Sequence, residues 1–214
     1  MFDMDGLLLD SERVARQCFV EACRDCDWEP DLDVYNLCIG STYAATEQIL
    51  CTNFGARFPW QAVSERWHDL YHARVLHHPV VVKSGAVEVL DLLDRHGVPA
   101  ALATSTRRET TIAKLGNAKL SNRFQHVICG GETRRGKPHP DPYLEAVQRL
   151  GLAPHVCWAF EDSDNGVRAA VAAGLTVFQV PDLVRPSDSV QALGHTIVRS
   201  LHEVVALLAS LPAR

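Results

Sequence analysis

F-D-M-D-G-L-L-L-D-S-E, residues 2–12, sets two aspartates one residue apart after an apolar pair and directly before a glycine. Residues two apart in an extended chain face the same way. If residues 1–3 form a strand, Asp3 and Asp5 therefore address one cluster of substrate atoms from its carboxyl end, where open α/β sheets place their sites. A polar strand end turning at Gly6 satisfies the same letters. Buried strands run about five residues, and only Met1 and Phe2 precede Asp3. Two readings follow: further residues precede Met1 in the native chain, or Met1 is the start and its charged α-amine lies close to the carboxylates.

Downstream of Gly85, short apolar runs alternate with helical patterns. The runs are V-P-A-A-L-A-T (98–104), H-V-I-C-G-G (126–131), V-C-W-A-F (156–160) and T-V-F-Q-V (176–180). Strands that are apolar throughout suit a parallel sheet covered on both faces. Between them, helices are expected over about 84–96, 107–115, 141–150 and 164–173, closed by Gly97, Gly116, Gly151 and Gly174. The fold class is α/β, a doubly wound parallel sheet.

Residues 12–80 read differently. Ala15, Cys18, Phe19, Ala22 and Cys26, then Val63, Trp67, Leu70, Tyr71 and Val75, form helical stripes with no convincing strand. The expected division is residues 1–11 and 81–214 as an α/β core and 12–80 as a helical insertion. Both crossings lie near Asp3 and Asp5, where an insertion can act as a lid. Trp60 and Trp67 share a helix face and read as packing residues. His77 and His78 have no third ligand at useful spacing and read as surface. The seven cysteines are odd in number and sit mostly among apolar neighbours, so no disulfide framework is expected. Cys23 and Cys26 lack a second C-x-x-C and read as helix-face thiols.

Three further elements carry chemistry. E-D-S-D-N-G-V-R-A-A (161–170) follows a strand and opens a helix. Asp162 and Ser163 are helix-capping types, but Glu161, Asp162 and Asp164 are more acids than a cap requires and suit a hard divalent cation. A-T-S-T (103–106), followed by Arg107 and Arg108, presents hydroxyls and amides for an anion at a helix start, or simply an N-cap. In G-K-P-H-P-D-P-Y (136–143), proline restricts the backbone of Lys137 and aims its ammonium. Delivered to the same sheet edge, Lys137 neutralises both a phosphoryl group and a nucleophile.

D-x-D, then Thr/Ser, then Lys, then E-D, each at a strand's carboxyl end and in that order, resembles the haloacid dehalogenase superfamily of phosphohydrolases. The insertion resembles that family's C1 cap, in the subgroup containing β-phosphoglucomutase and small sugar-phosphate phosphatases. The resemblance implies Asp3 as nucleophile, forming an aspartyl-phosphate, and Asp5 as acid and then base. It implies Mg²⁺ held by the Asp3 carboxylate, the Asp5 carbonyl, Asp162 and Glu161, the last directly or through water. Thr104, Lys137 and the Ser105 backbone would bind the phosphoryl oxygens, with Ser163 and Asn165 in support or capping. Gly40, Ser41, Thr42 and Tyr43 are the cap loop expected to reach substrate, with an N-cap at Ser41 or Thr42 as the other reading. A mutase is disfavoured, because its cap histidine falls near Ala15 and its cap arginine is replaced by Tyr43. A dehalogenase is disfavoured because Asp5 is present. The implied activity is hydrolysis of a small phosphate monoester, a sugar phosphate or nucleoside monophosphate; D-G-L-L-L-D-S-E-R also looks like pseudouridine monophosphate phosphatases. The alternatives are a β-phosphoglucomutase-like isomerase and a non-catalytic phosphate-binding module. A receiver-like domain lacks the insertion.

Composition narrows the partners. With 214 residues, 47% apolar and 22% charged, the chain can bury a sizeable core, and disorder is excluded. A formal charge of −5 supplies no basic field for nucleic acid or anionic lipid. No apolar run reaches the roughly 18 residues of a membrane span. The expectation is a cytoplasmic monomer acting on a small phosphorylated metabolite.

Overall fold

A computed structural model describes residues 1–41 and 43–209. Four helices come first: α1 (Ser11–Asp25), α2 (Leu32–Asn36), α3 (Tyr43–Phe54) and α4 (Trp60–His77). The α/β alternation follows as α5 (Ala86–Arg95), β1 (Ala101–Ala103), α6 (Arg108–Asn117), β2 (His126–Ile128), α7 (Asp141–Leu150), β3 (Trp158–Glu161), α8 (Asp164–Ala172) and β4 (Thr176–Gln179). It ends with α9 (Asp188–Gln191), β5 (Thr196–Ile197) and α10 (Leu201–Ala209), three elements that the sequence reading did not anticipate.

The sheet is parallel, and its centre is the N-terminal segment. Phe2 bridges Leu102 on one side and Phe160 on the other. Phe2 N donates to Ala101 O at 2.9 Å, and Asp3 N donates to Phe160 O at 3.1 Å. The order is β2, β1, residues 1–3, β3, β4, β5. Chain order reverses at the central segment, which makes it the topological switch point. The Met1 amine donates to Trp158 O at 2.7 Å.

Side chains alternate between two cores, as strand geometry requires. Phe2, Leu102, Phe160 and Phe178 pack on one face with Val89, Leu90 and Leu93 of α5 and Leu201 and Val204 of α10. Met1, Ala101, Ala103, Ala159 and Val177 face the opposite core with Tyr143, Ala146 and Val147 of α7 and Val167 and Ala170 of α8. Large residues on one side and small ones on the other let α7 and α8 approach the strand ends closely. Of the four glycines read as helix stops, Gly116 lies inside α6, which runs on to Asn117.

The helical segment has an apolar cluster of its own, built from Phe19, Ala22, Tyr35, Leu50, Phe58 and Val63, with Trp60 and Trp67 packed against it. Its two crossings run side by side: Leu9 pairs with Val82, Asp10 N donates to Val81 O and Lys83 N to Leu8 O. All seven cysteines are free, and Cys23 is buried. Among the described residues, no helix is long and apolar enough to cross a membrane.

Candidate active site

The carboxyl ends of the central segment, β1 and β3 converge on a cavity of about 290 Å³ lined by Asp3, Asp5, Thr104, Ser105, Lys137 and Asp162. Gly40 and Ser41 close it from the helical segment, and Asn165 Nδ2 donates to the Gly40 carbonyl across the gap. Thr42 lies outside the described residues. Tyr43 is 68% exposed and packs on Trp60 at 5.5 Å between ring centroids, its hydroxyl donating to Ser64 Oγ at 3.3 Å. It does not line the cavity, whereas Gly40 and Ser41 do. Helical geometry explains this, since position 43 opens α3 and faces α4.

Asp3 is 7% exposed. Lys137 Nζ lies 2.6 Å from Asp3 Oδ1 and 2.5 Å from Glu161 Oε1. Glu161 Oε1 also accepts from the buried Tyr143 hydroxyl at 2.5 Å. Asp3, Glu161 and Asp162 each offer an oxygen within 4.8 Å of the others. Burial pushes the Asp3 carboxyl up, Lys137 opposes the shift, and Glu161 and Asp5 add to it, leaving the group at about 7. Asp162 is raised well above the usual range by burial and by Asp3 and Glu161. The hard oxygens of three buried carboxylates beside one ammonium fit Mg²⁺. Asp164 is not among them. Its carboxylate accepts from the Ser187 hydroxyl and backbone amide, so the acidic run divides between the cavity and a surface turn.

Two glycines admit this crowding. A Cβ at Gly6, whose φ is +78°, would lie 2.0 Å from Asp162 Oδ2, and one at Gly166 would lie 1.9 Å from Glu161 Cδ. Gly166 sits in the first turn of α8, where its amide donates to Ser163 Oγ at 3.2 Å. The Ser163 cap and the missing Cβ together seat Glu161 against the helix start.

Thr104 is buried, and its Oγ1 accepts from Thr106 N at 3.1 Å. Neither Arg107 nor Arg108 lines the cavity, and Arg108 instead pairs with Glu132 and donates to Val127 O at 2.8 Å. Asp5 is held apart from the acidic trio. Its Oδ1 accepts from Ser11 Oγ at 2.5 Å and Lys114 Nζ at 2.6 Å, and its Oδ2 from Thr106 Oγ1 at 2.6 Å. Burial alone would raise this carboxyl, but Lys114, Ser11 and Thr106 outweigh it and hold it below the usual range. The sequence reading missed Lys114 and Ser11, and read the hydroxyls of residues 103–106 as an anion site or cap, whereas that of Thr106 donates to Asp5. Ala15 sits at the α1–α4 contact, its carbonyl accepting from Trp67 Nε1 at 2.9 Å.

The haloacid dehalogenase-like hydrolase family matches residues 1–180. Protein CbbY of Rhodobacter capsulatus is 33% identical over 204 residues, covering 90% of this chain and 88% of its own. The fructose-1-phosphate phosphatase YqaB of Escherichia coli is 30% identical over 186 residues, covering 84% and 94%. The β-phosphoglucomutase structure from Clostridium difficile superposes with a TM-score of 0.74 at 16% identity, over 95% of this chain and 91% of that one, a likeness of fold. With the four motifs gathered at one sheet edge, these matches show that the chain belongs to the haloacid dehalogenase-like hydrolase family and is an enzyme of the phosphoric monoester hydrolase type.

Proposed function

We propose that the protein is a Mg²⁺-dependent phosphatase of small phosphate monoesters, sugar phosphates or nucleoside monophosphates, acting through an aspartyl-phosphate on Asp3. The observation that carries this reading is the Asp3 carboxylate at the cavity floor, 2.6 Å from Lys137 and grouped with Glu161 and Asp162. Lys137 neutralises the nucleophile and then the phosphoryl oxygens. An Asp3 oxygen forms a bond to phosphorus as the bond to the leaving oxygen breaks, and Asp5 gives that oxygen a proton. Water then attacks the aspartyl-phosphate and returns a proton to Asp5, releasing phosphate and freeing Asp3. In the arrangement seen, Asp5 is the anionic, base-ready form; repulsion from an entering phosphoryl group favours the protonated form.

The Asp3 and Asp162 carboxylates and the Asp5 carbonyl would hold Mg²⁺, with Glu161 direct or through water. The ion supplies Lewis-acid polarisation of the phosphoryl oxygens. Thr104 and the Ser105 backbone complete the phosphoryl site. Residues 12–80 act as the cap, and Gly40 and Ser41 meet the rest of the substrate. Support for small substrates comes from the cavity, whose volume of about 290 Å³ is near the lower end of ligand sites. Pairing with YqaB, named as a fructose-1-phosphate phosphatase, favours sugar phosphates.

The test is phosphate release from a panel of sugar phosphates, nucleoside monophosphates including pseudouridine monophosphate, and phosphoglycolate. Turnover with Mg²⁺ and none with EDTA is expected; equal rates in both would refute the metal requirement. A second prediction concerns Gly166→Ala. Its methyl drives out the Glu161 carboxylate, so Mg²⁺ affinity should fall about 10- to 100-fold, the usual cost of disturbing groups around a metal. Calorimetric titration of Mg²⁺ against wild type checks it, and unchanged affinity would place Glu161 outside the metal site.

A further inference from the structure

Lys114 is fully buried, 0% exposed, on α6, and no step above uses it. A cation taken out of water is costly unless paired and hydrogen-bonded. Its partners come from two different parts of the chain: Nζ lies 2.6 Å from Asp5 Oδ1 and 2.5 Å from the Tyr71 hydroxyl of α4, and 4.9 Å from the Tyr71 ring centroid. Asp5 and Tyr71 both line the cavity. Ser11 also donates to Oδ1 and Thr106 to Oδ2 of the same carboxylate, so three donors from α1, α6 and the turn after β1 define its plane and leave one of its roughly four acceptor positions, on Oδ2, for the reacting groups.

We infer that Lys114 is a positioning residue for Asp5, fixing the rotamer in which that carboxylate meets the leaving oxygen and the attacking water, and that Tyr71 ties this support to the helical segment. The inference rests on the phosphatase reading. A carboxylate free to rotate spends most of its time misdirected, and proton transfer tolerates little misplacement. Substrate affinity set by Lys137, Thr104 and the metal ligands is not expected to change.

The experiment compares wild type, Lys114→Met, Tyr71→Phe, Asp5→Asn and the double variants of Asp5→Asn with Lys114→Met and with Tyr71→Phe, on whichever ester of the panel wild type hydrolyses fastest, with Mg²⁺. Lys114→Met should lower kcat by about 10- to 100-fold, part of the 10²–10⁴ that acid–base catalysis supplies. KM should stay within about threefold, since ground-state binding is untouched. In the Asp5→Asn background the same change should cost little more, because groups acting as a unit are not additive. Tyr71→Phe should give a smaller loss of kcat that also vanishes in that background, and it decides the matter should Lys114→Met not fold. Wild-type kcat in Lys114→Met, or losses that multiply in the double variants, would overturn the inference while leaving the phosphatase standing. No phosphate release by wild type would overturn both.

Discussion

Asp3→Asn is expected to abolish phosphate release, with a fall of about 10⁴-fold or more, the scale on which loss of a covalent nucleophile is felt. The amide keeps the shape of the side chain but carries no anionic oxygen to attack phosphorus. It also removes the Asp3 charge, which with Glu161 raises Asp162. The variant should therefore fold at least as well as wild type while losing turnover, and melting curves alongside rate measurements separate the two effects. Residual activity within tenfold of wild type would mean that water attacks the substrate directly and that Asp3 is only a metal ligand.

Lys137→Met should have the largest effect on stability. The ammonium is nearly buried, with 5% of its side chain exposed, and bridges Asp3 and Glu161, whose side chains are 10% and 0% exposed. Removing one partner of a buried ion pair costs about 3–5 kcal/mol, because the charges left behind have no counterion. For a chain of this size that is a fall in Tm of roughly 6–20 °C. The sign with metal is opposite. Mg²⁺ replaces part of the lost positive charge and binds only the folded chain, so saturating Mg²⁺ should raise the Tm of Lys137→Met more than that of wild type. Scanning calorimetry with EDTA and with Mg²⁺ tests this, and equal metal-induced shifts would show that Lys137 does not offset the carboxylates. Affinity for vanadate or beryllofluoride with Mg²⁺ present should fall as well, since the same ammonium faces the phosphoryl oxygens.

The core of the site was legible because each of its motifs is local. An apolar run ending in an acid, a hydroxyl or a glycine-flanked lysine announces a strand end or a loop, and parallel strands bring their carboxyl ends to one edge. Asp3, Thr104, Lys137, Glu161 and Asp162 meet there for that reason. Lys114 was hidden by the same logic. On α6 the apolar Ile112 is 57% exposed, while Thr111 and Lys114 are completely buried, so hydrophobicity alone turns the helix the wrong way. Its buried face shows only once Asp5 and Tyr71, 109 and 43 residues away in sequence, close over it.

By itself the sequence determined the α/β class, the helical segment between the first two motifs and the order of chemical groups along the sheet edge, because period, capping and strand-end chemistry act over a few residues. Tertiary structure alone decided that residues 1–3 lie at the centre of the sheet, that Tyr43 turns to α4 and that Asp164 turns to Ser187. It alone also gave Asp5 a buried cation of its own. Each of these depends on which distant surface a side chain meets, and the energy of that contact outweighs the local preference.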